Sequence, residues 1–140
     1  MQLDNMLLQA CKNNKKSVAQ TFLKRGGVDV NKRDESGNTP LIYACMKNAR
    51  DLVKLLLENG ADVNLGNQRD RMPLHFAAEA GSPEIIGLLT GAGADVNCTD
   101  MNGVTPLMVM AQNGRTDAAL KFIQNPDIDL KLKDNDNHMA

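Results

Sequence analysis

The sequence predicts an all-α solenoid in which helix-turn-helix units stack side by side and are joined by β-turn or hairpin-like loops. Two observations predict it. Pro40-Leu41 returns as Pro73-Leu74 and as Pro106-Leu107, each 33 residues after the last. In the same phase Asp62-Val63-Asn64 returns as Asp95-Val96-Asn97, and Gly81 as Gly114. A unit this short cannot bury its apolar face alone, so self-similarity at this period means neighbours that complete a continuous core. The 140 residues then form a single repeat domain, with units at approximately 1–33, 34–66, 67–99 and 100–133 and a partial fifth at 134–140.

Each element has a local reason. In the first unit Leu7 and Ala10 take the places of Leu41 and Ala44, one extra residue falls near Gly26-Gly27, and Val28-Asp29-Val30-Asn31 closes the unit without an opening turn. The second opens on Asp34-Glu35-Ser36-Gly37-Asn38, turn chemistry in which Gly37 can take a positive φ. Thr39 caps a helix whose first residue is Pro40, where a missing N–H costs nothing. Leu41, Ala44 and Cys45 share one face of that short helix, which ends near Asn48. A second helix starts after Ala49, carries Leu52, Val53, Leu55, Leu56 and Leu57, and stops at a left-handed cap, Asn59-Gly60. The third unit departs in two places: Met72 stands where the capping threonine should be, and Asp70 fills the turn-glycine column, so its cap and turn are expected to be weakened. The fourth replaces the glycine after its second helix with Asn125-Pro126 and runs on through Asp127-Ile128-Asp129-Leu130. Asp134 to Ala140 reads as the opening of a fifth unit, which leaves Leu120, Phe122 and Ile123 of the fourth without a covering neighbour.

Composition narrows the function class. There is no Trp, one Tyr and three Phe, so small and aliphatic side chains must fill the core. No apolar run approaches the roughly 18 residues of a membrane span, and Met1 to Leu8 holds an acid and no apolar signal region, which predicts a cytoplasmic or nuclear address. The cysteines Cys11, Cys45 and Cys98 are odd in number and lack close metal-ligand spacing; they read as buried small hydrophobes rather than a disulfide or a zinc site.

Turn, helix, helix, turn at this period resembles the ankyrin repeat. The residues that carry the resemblance are Asp34, Gly37, Thr39-Pro40-Leu41 and Ala44, then Leu55-Leu56-Leu57 and Gly60-Ala61-Asp62-Val63-Asn64, and the third and fourth units repeat them. The resemblance covers nearly the whole chain. It implies a protein-binding adaptor or scaffold with no catalytic machinery, no cofactor and no metal, and it makes the first unit, without its opening turn, similar to a terminal capping repeat.

A search for chemistry agrees with that. His75 sits in the column where the resemblance implies a histidine that buttresses the turn through a threonine three residues back, here Met72. No second histidine or paired carboxylate lies at usable spacing, and no hydrolase elbow, Walker-type loop or dinucleotide fingerprint occurs. Nucleic-acid binding is the reading from another class. Residues 1–33 hold seven basic and two acidic side chains, a balance of +5, whereas 34–66, 67–99 and 100–140 each balance at −2. The lysines are spread over both helices and a turn, and no aromatic is interleaved to stack bases, so a solvated basic end is the stronger account.

What remains is a surface. Repetition sets equivalent positions side by side, so the turn tips and the exposed side of each first helix form one concave strip. The variable columns that the resemblance assigns to partner binding fall on Lys12 and Asn13 in the first unit, and on Arg33, Glu35, Ser36, Asn38, Met46 and Lys47 in the second. They continue as Gln68, Arg69, Arg71 and Glu79 in the third and as Met101, Asn102, Val104, Gln112 and Asn113 in the fourth. Met46, Met101 and Val104 are expected to be exposed apolar contacts, and Arg33, Arg69 and Arg71 to pair acidic groups on a protein or peptide partner. A monomer is expected, with end-to-end association as the way an open end would be covered. Asn31, Asn64 and Asn97 also resemble the column at which ankyrin repeats are hydroxylated by an asparaginyl hydroxylase in animal cells, although hydrogen bonding between turns accounts for the residues without it.

Overall fold

The computed structural model describes residues 2–129, and the expected partial fifth unit lies outside them. Among the described residues eight helices run in order: α1 (Gln2–Lys12), α2 (Lys16–Arg25), α3 (Pro40–Met46), α4 (Arg50–Glu58), α5 (Pro73–Ala80), α6 (Pro83–Gly91), α7 (Pro106–Gln112) and α8 (Thr116–Phe122). They form four antiparallel pairs. The first helices, α1, α3, α5 and α7, pack in one row, and the second helices, α2, α4, α6 and α8, in a row behind it.

The caps that start these helices are mostly legible. Thr39 accepts the Ile42 N–H at 3.2 Å and Thr105 the Met108 N–H at 3.2 Å, each just ahead of a proline. Ser82 does the same for α6, taking the Ile85 N–H at 3.3 Å. Each pair then turns on one left-handed residue: Asn14, Asn48, Gly81 and Gly114 have φ of +54°, +54°, +74° and +66°. Asparagine tolerates that region better than other side chains. This column ends α3 at Met46, two residues before the expected end near Asn48.

Stacking buries Leu56, Ala77 and Leu89 completely, and each leucine so placed contributes about 1.5–3 kcal/mol of burial. Phe122 corrects an expectation. It stands in the column of Leu56 and Leu89 and is buried with them, so only Leu120 and Ile123 of the expected open set are exposed.

The turns of the third and second units share one bonding pattern, so the expected weakening of the third does not reach its turn hydrogen bonds. In the second, Asp34 N–H bonds Asn38 O at 3.0 Å, and the Asp34 carboxylate takes the Ser36 and Asn38 N–H groups at 3.0 and 2.9 Å. In the third, Asn67 N–H bonds Arg71 O at 3.0 Å, and Asn67 Oδ1 takes the Arg69 and Arg71 N–H groups at 2.9 and 3.1 Å. Asp70 adopts φ +57° where Gly37 has +79°. Successive tips are joined through the main chain, Gln68 N–H to Ser36 O at 3.0 Å and Met101 N–H to Arg69 O at 2.9 Å. A Cβ on Gly37 would lie 2.8 Å from the Gln68 nitrogen, so this junction requires glycine.

Behind the helices a second ladder ties one unit to the next. Asn31, Asn64 and Asn97 accept the N–H groups of Asp62, Asp95 and Asp129, each at 2.8 Å. Within the first unit, Asp4 of α1 accepts the Asp29 N–H in the same way at 2.8 Å.

Candidate functional site

The two rows of junctions hold the first helices and turn tips in register, so the predicted strip is one surface. On it Lys12, Asn13, Glu35, Ser36, Met46, Lys47, Gln68, Arg69 and Glu79 are exposed, as are Met101, Asn102, Gln112 and Asn113. Several of these side chains also serve the scaffold. Gln68 donates its amide to Glu35 O at 2.5 Å, and Asn113 donates to Val109 O at 2.8 Å. The Arg33 guanidinium is exposed but bonds Gly66 O and, at 3.4 Å, Gly37 O, so it clamps the second turn to the chain entering the third.

Asn38, Arg71 and Val104 depart from the exposure expected of them. They are equivalent positions of three successive turns, and Asn38 and Arg71 lean onto the first helix that follows. Asn38 is buried; its Nδ2 donates to Tyr43 Oη at 3.5 Å and its Oδ1 accepts from Asn67 Nδ2 at 3.0 Å. Val104 is half-buried against the core. Arg71 is also half-buried: its guanidinium carbon lies 4.7 Å from the Phe76 ring centre and Nη1 is 3.6 Å from the Glu79 carboxylate, while Nε is buried without a hydrogen-bond partner.

An aromatic column escaped the sequence reading. Tyr43 and Phe76 lie 33 residues apart on the strip side of α3 and α5, each under a cation, with Lys12 Nζ 5.8 Å from the Tyr43 ring centre. Burial raises the Tyr43 phenol pKa, and the hydrogen bond it donates to the Asp34 carboxylate raises it further. The signal was available, since an aromatic repeating at the unit period beside basic columns marks a stacking stripe. Here Lys12, Lys32, Arg33 and Tyr43 help line an open hollow of about 730 Å³.

His75 belongs to the scaffold. It is fully buried; Nδ1 accepts the Met72 N–H at 3.0 Å and Nε2–H donates to Val104 O at 2.7 Å. The missing threonine is thus replaced by a backbone N–H, and the ring bridges the third unit to the fourth turn. Burial lowers its pKa, and Arg71 nearby adds to the lowering. Cys11, Cys45 and Cys98 are buried free thiols; burial pushes Cys11 and Cys98 up to about 12 and Cys45 up as well. No group of metal-binding side chains occurs among the described residues, and no helix there is long and apolar enough to cross a membrane. Asn64 is exposed and Asn31 and Asn97 are half-buried. The amide groups of Asn64 and Asn97 also donate to Gly93 O at 3.0 Å and Asp127 O at 2.7 Å.

Comparison with known proteins adds two findings. A family model described as "Ankyrin repeats (3 copies)" matches residues 3–67 and 74–139. An ankyrin and IPT/TIG repeat-containing protein of Schizosaccharomyces pombe is 51% identical over 43 residues, which are 31% of this chain and 4% of that protein.

Proposed function

The chain belongs to the ankyrin-repeat family, and from that membership we propose that it acts as a non-catalytic adaptor, binding another protein or peptide through the concave strip of first helices and turn tips. The observation that carries this reading is the double tethering of the strip. The tips are joined by Gln68 N–H to Ser36 O and Met101 N–H to Arg69 O, and the opposite ends of the units by the Asn31, Asn64 and Asn97 bonds. A surface held from both sides meets its partner already ordered, so little conformational entropy is lost on binding. Arg69 and Met101 lie at the centre of the exposed tips and are the residues proposed to make contact, Arg69 with an acidic group and Met101 with an apolar one.

The test is affinity capture with three chains: the wild type, an Arg69→Glu/Met101→Asp variant of the strip, and a Lys54→Glu variant on the exposed side of α4, in the second row. Capture lost with the strip variant and kept with Lys54→Glu is the expected result. Equal capture by all three would place binding elsewhere. A second reading, that the same strip serves as the recognition unit of a larger polypeptide, is favoured by the S. pombe relative, whose matched segment is a small part of a far longer protein.

A further inference from the structure

Three asparagines are followed by glycine: Asn59-Gly60, Asn102-Gly103 and Asn113-Gly114. The pair has a chemistry of its own, because glycine carries no side chain to keep its main-chain nitrogen away from the amide carbon before it. All three asparagines are exposed. All three glycine N–H groups are bonded, Gly60 to Leu57 O at 3.2 Å, Gly103 to Asp100 O at 3.0 Å and Gly114 to Ala111 O at 3.3 Å. Neither solvent access nor the glycine nitrogen therefore separates them. Exposure at Asn102 belongs to the turn tip and not to its place in the chain, since Ser36 and Arg69, its equivalents in the second and third turns, are exposed with a following turn bonded to each.

The side-chain amides do separate them. Asn59 Nδ2 donates to Leu55 O at 2.8 Å and Asn113 Nδ2 to Val109 O at 2.8 Å, so each amide lies back along the helix it ends, α4 or α7. A bond of that kind favours its rotamer by about fivefold, net of the solvent it replaces. At Asn102 only the main chain is engaged: its N–H is bonded to Asp100 Oδ1 at 2.8 Å, and its amide has no hydrogen-bond partner among the described residues. This amide can turn toward the Gly103 nitrogen without giving up a bond.

We propose that Asn102 is a site of spontaneous modification in the folded chain, converted to aspartate and isoaspartate ahead of Asn59 and Asn113. The Gly103 nitrogen bonds to the Asn102 amide carbon, the bond from that carbon to its NH2 group breaks, and the proton lost by Gly103 leaves with that group as ammonia. Water then adds to one of the two carbonyls of the resulting succinimide and opens it to a carboxylate. Opening at the side-chain carbonyl gives aspartate, and opening at the main-chain carbonyl gives isoaspartate, with the chain running through the former side chain. Either product sets a negative charge beside Met101, whose N–H bonds Arg69 O at 2.9 Å. An acidic partner at Arg69 is then repelled, a consequence that rests on the binding reading above.

Incubation of the full chain in warm, mildly alkaline buffer, folded and in denaturant, with peptide mapping by mass spectrometry at intervals, tests this. In the folded chain Asn102 should show the mass shift of an amide turned to an acid at least about fivefold faster than Asn59 or Asn113. In denaturant the three should convert at similar rates, because the tethers are gone. Asn59 or Asn113 keeping pace with Asn102 in the folded chain overturns the proposal, and so does an Asn102 that stays intact there while the unfolded chain converts. The same ranking in denaturant also overturns it, since flanking sequence would then set the order. Partner capture by converted and fresh chain reads the consequence separately. Weaker capture after conversion is expected, equal capture overturns the repulsion at Arg69, and a fresh chain that captures nothing refutes the binding reading and not the site.

Discussion

The second and third helix pairs have superimposable roles and different chemistry. The second caps its first helix with the Thr39 hydroxyl, turns on Gly37, and fills the column behind the cap with Ile42, which is fully buried. The third has Met72 at the cap, Asp70 in the turn and His75 in that column, and its backbone forms the same turn and the same helix start. The difference teaches that the fold requires particular bonds at these points but not particular atoms to make them. The N–H that the Thr39 hydroxyl accepts in one unit bonds the Met72 carbonyl in the other, and the column that is apolar packing in one unit becomes a polar bridge to the next turn in the other.

The comparison is sharpest where it predicts equality. Leu56 and Leu89 occupy one column and are both fully buried, so Leu56→Ala and Leu89→Ala should each cost about 2–5 kcal/mol, measured by chemical denaturation. If Leu89→Ala is clearly the milder, the third pair is packed more loosely than the second.

The next effect belongs to the third pair alone. His75→Leu keeps the bulk but strands the Met72 N–H and leaves the Val104 carbonyl with the Asp100 N–H alone, at an expected cost of about 1–3 kcal/mol. It should also change the pH response. Burial holds the folded-state pKa of His75 below its ordinary value near 6.5, so the unfolded chain takes up a proton before the folded one. Stability is therefore complete above about pH 6.5 and falls as the pH drops below it. Denaturation midpoints between pH 7 and 5 should show this slope in the wild type, reduced in His75→Leu. An unchanged slope would assign it to other groups.

Smaller effects probe the caps and turns. Thr39→Ala should cost about 1 kcal/mol, whereas Met72→Thr should gain less than that, because the Met72 carbonyl already accepts the His75 N–H at 3.0 Å. A gain equal to the Thr39 loss would mean the Met72 carbonyl is a poor substitute for the hydroxyl. Asp70→Gly should stabilise by about 1 kcal/mol or less, since it relieves a non-glycine residue at positive φ.

The architecture was legible because its signals are periodic. The Pro-Leu pairs fixed the first helices, the Asp-Val-Asn triplets the junctions behind them, and Leu56, Ala77 and Leu89 the core. What was not legible depends on where a side chain turns after its backbone is placed. Asn38, Arg71 and Val104 were read as exposed because turn tips are exposed, but Tyr43 and Phe76 on the helices that follow hold Asn38 and Arg71, and Val104 packs against the core. Arg71 in particular is both stacked and ion-paired, so its removal disturbs more than a solvated tip. The left-handed Asn14 and Asn48 escaped notice because the column was recognised only by its glycines, Gly81 and Gly114.

The asparagine ladder has a direction. Asp4 holds the Asp29 N–H, Asn31 that of Asp62, Asn64 that of Asp95 and Asn97 that of Asp129, and in every case the acceptor lies earlier in the chain than the donor. A ribosome releases the polypeptide in that same order. Each loop that emerges therefore finds its partner side chain already outside the exit tunnel.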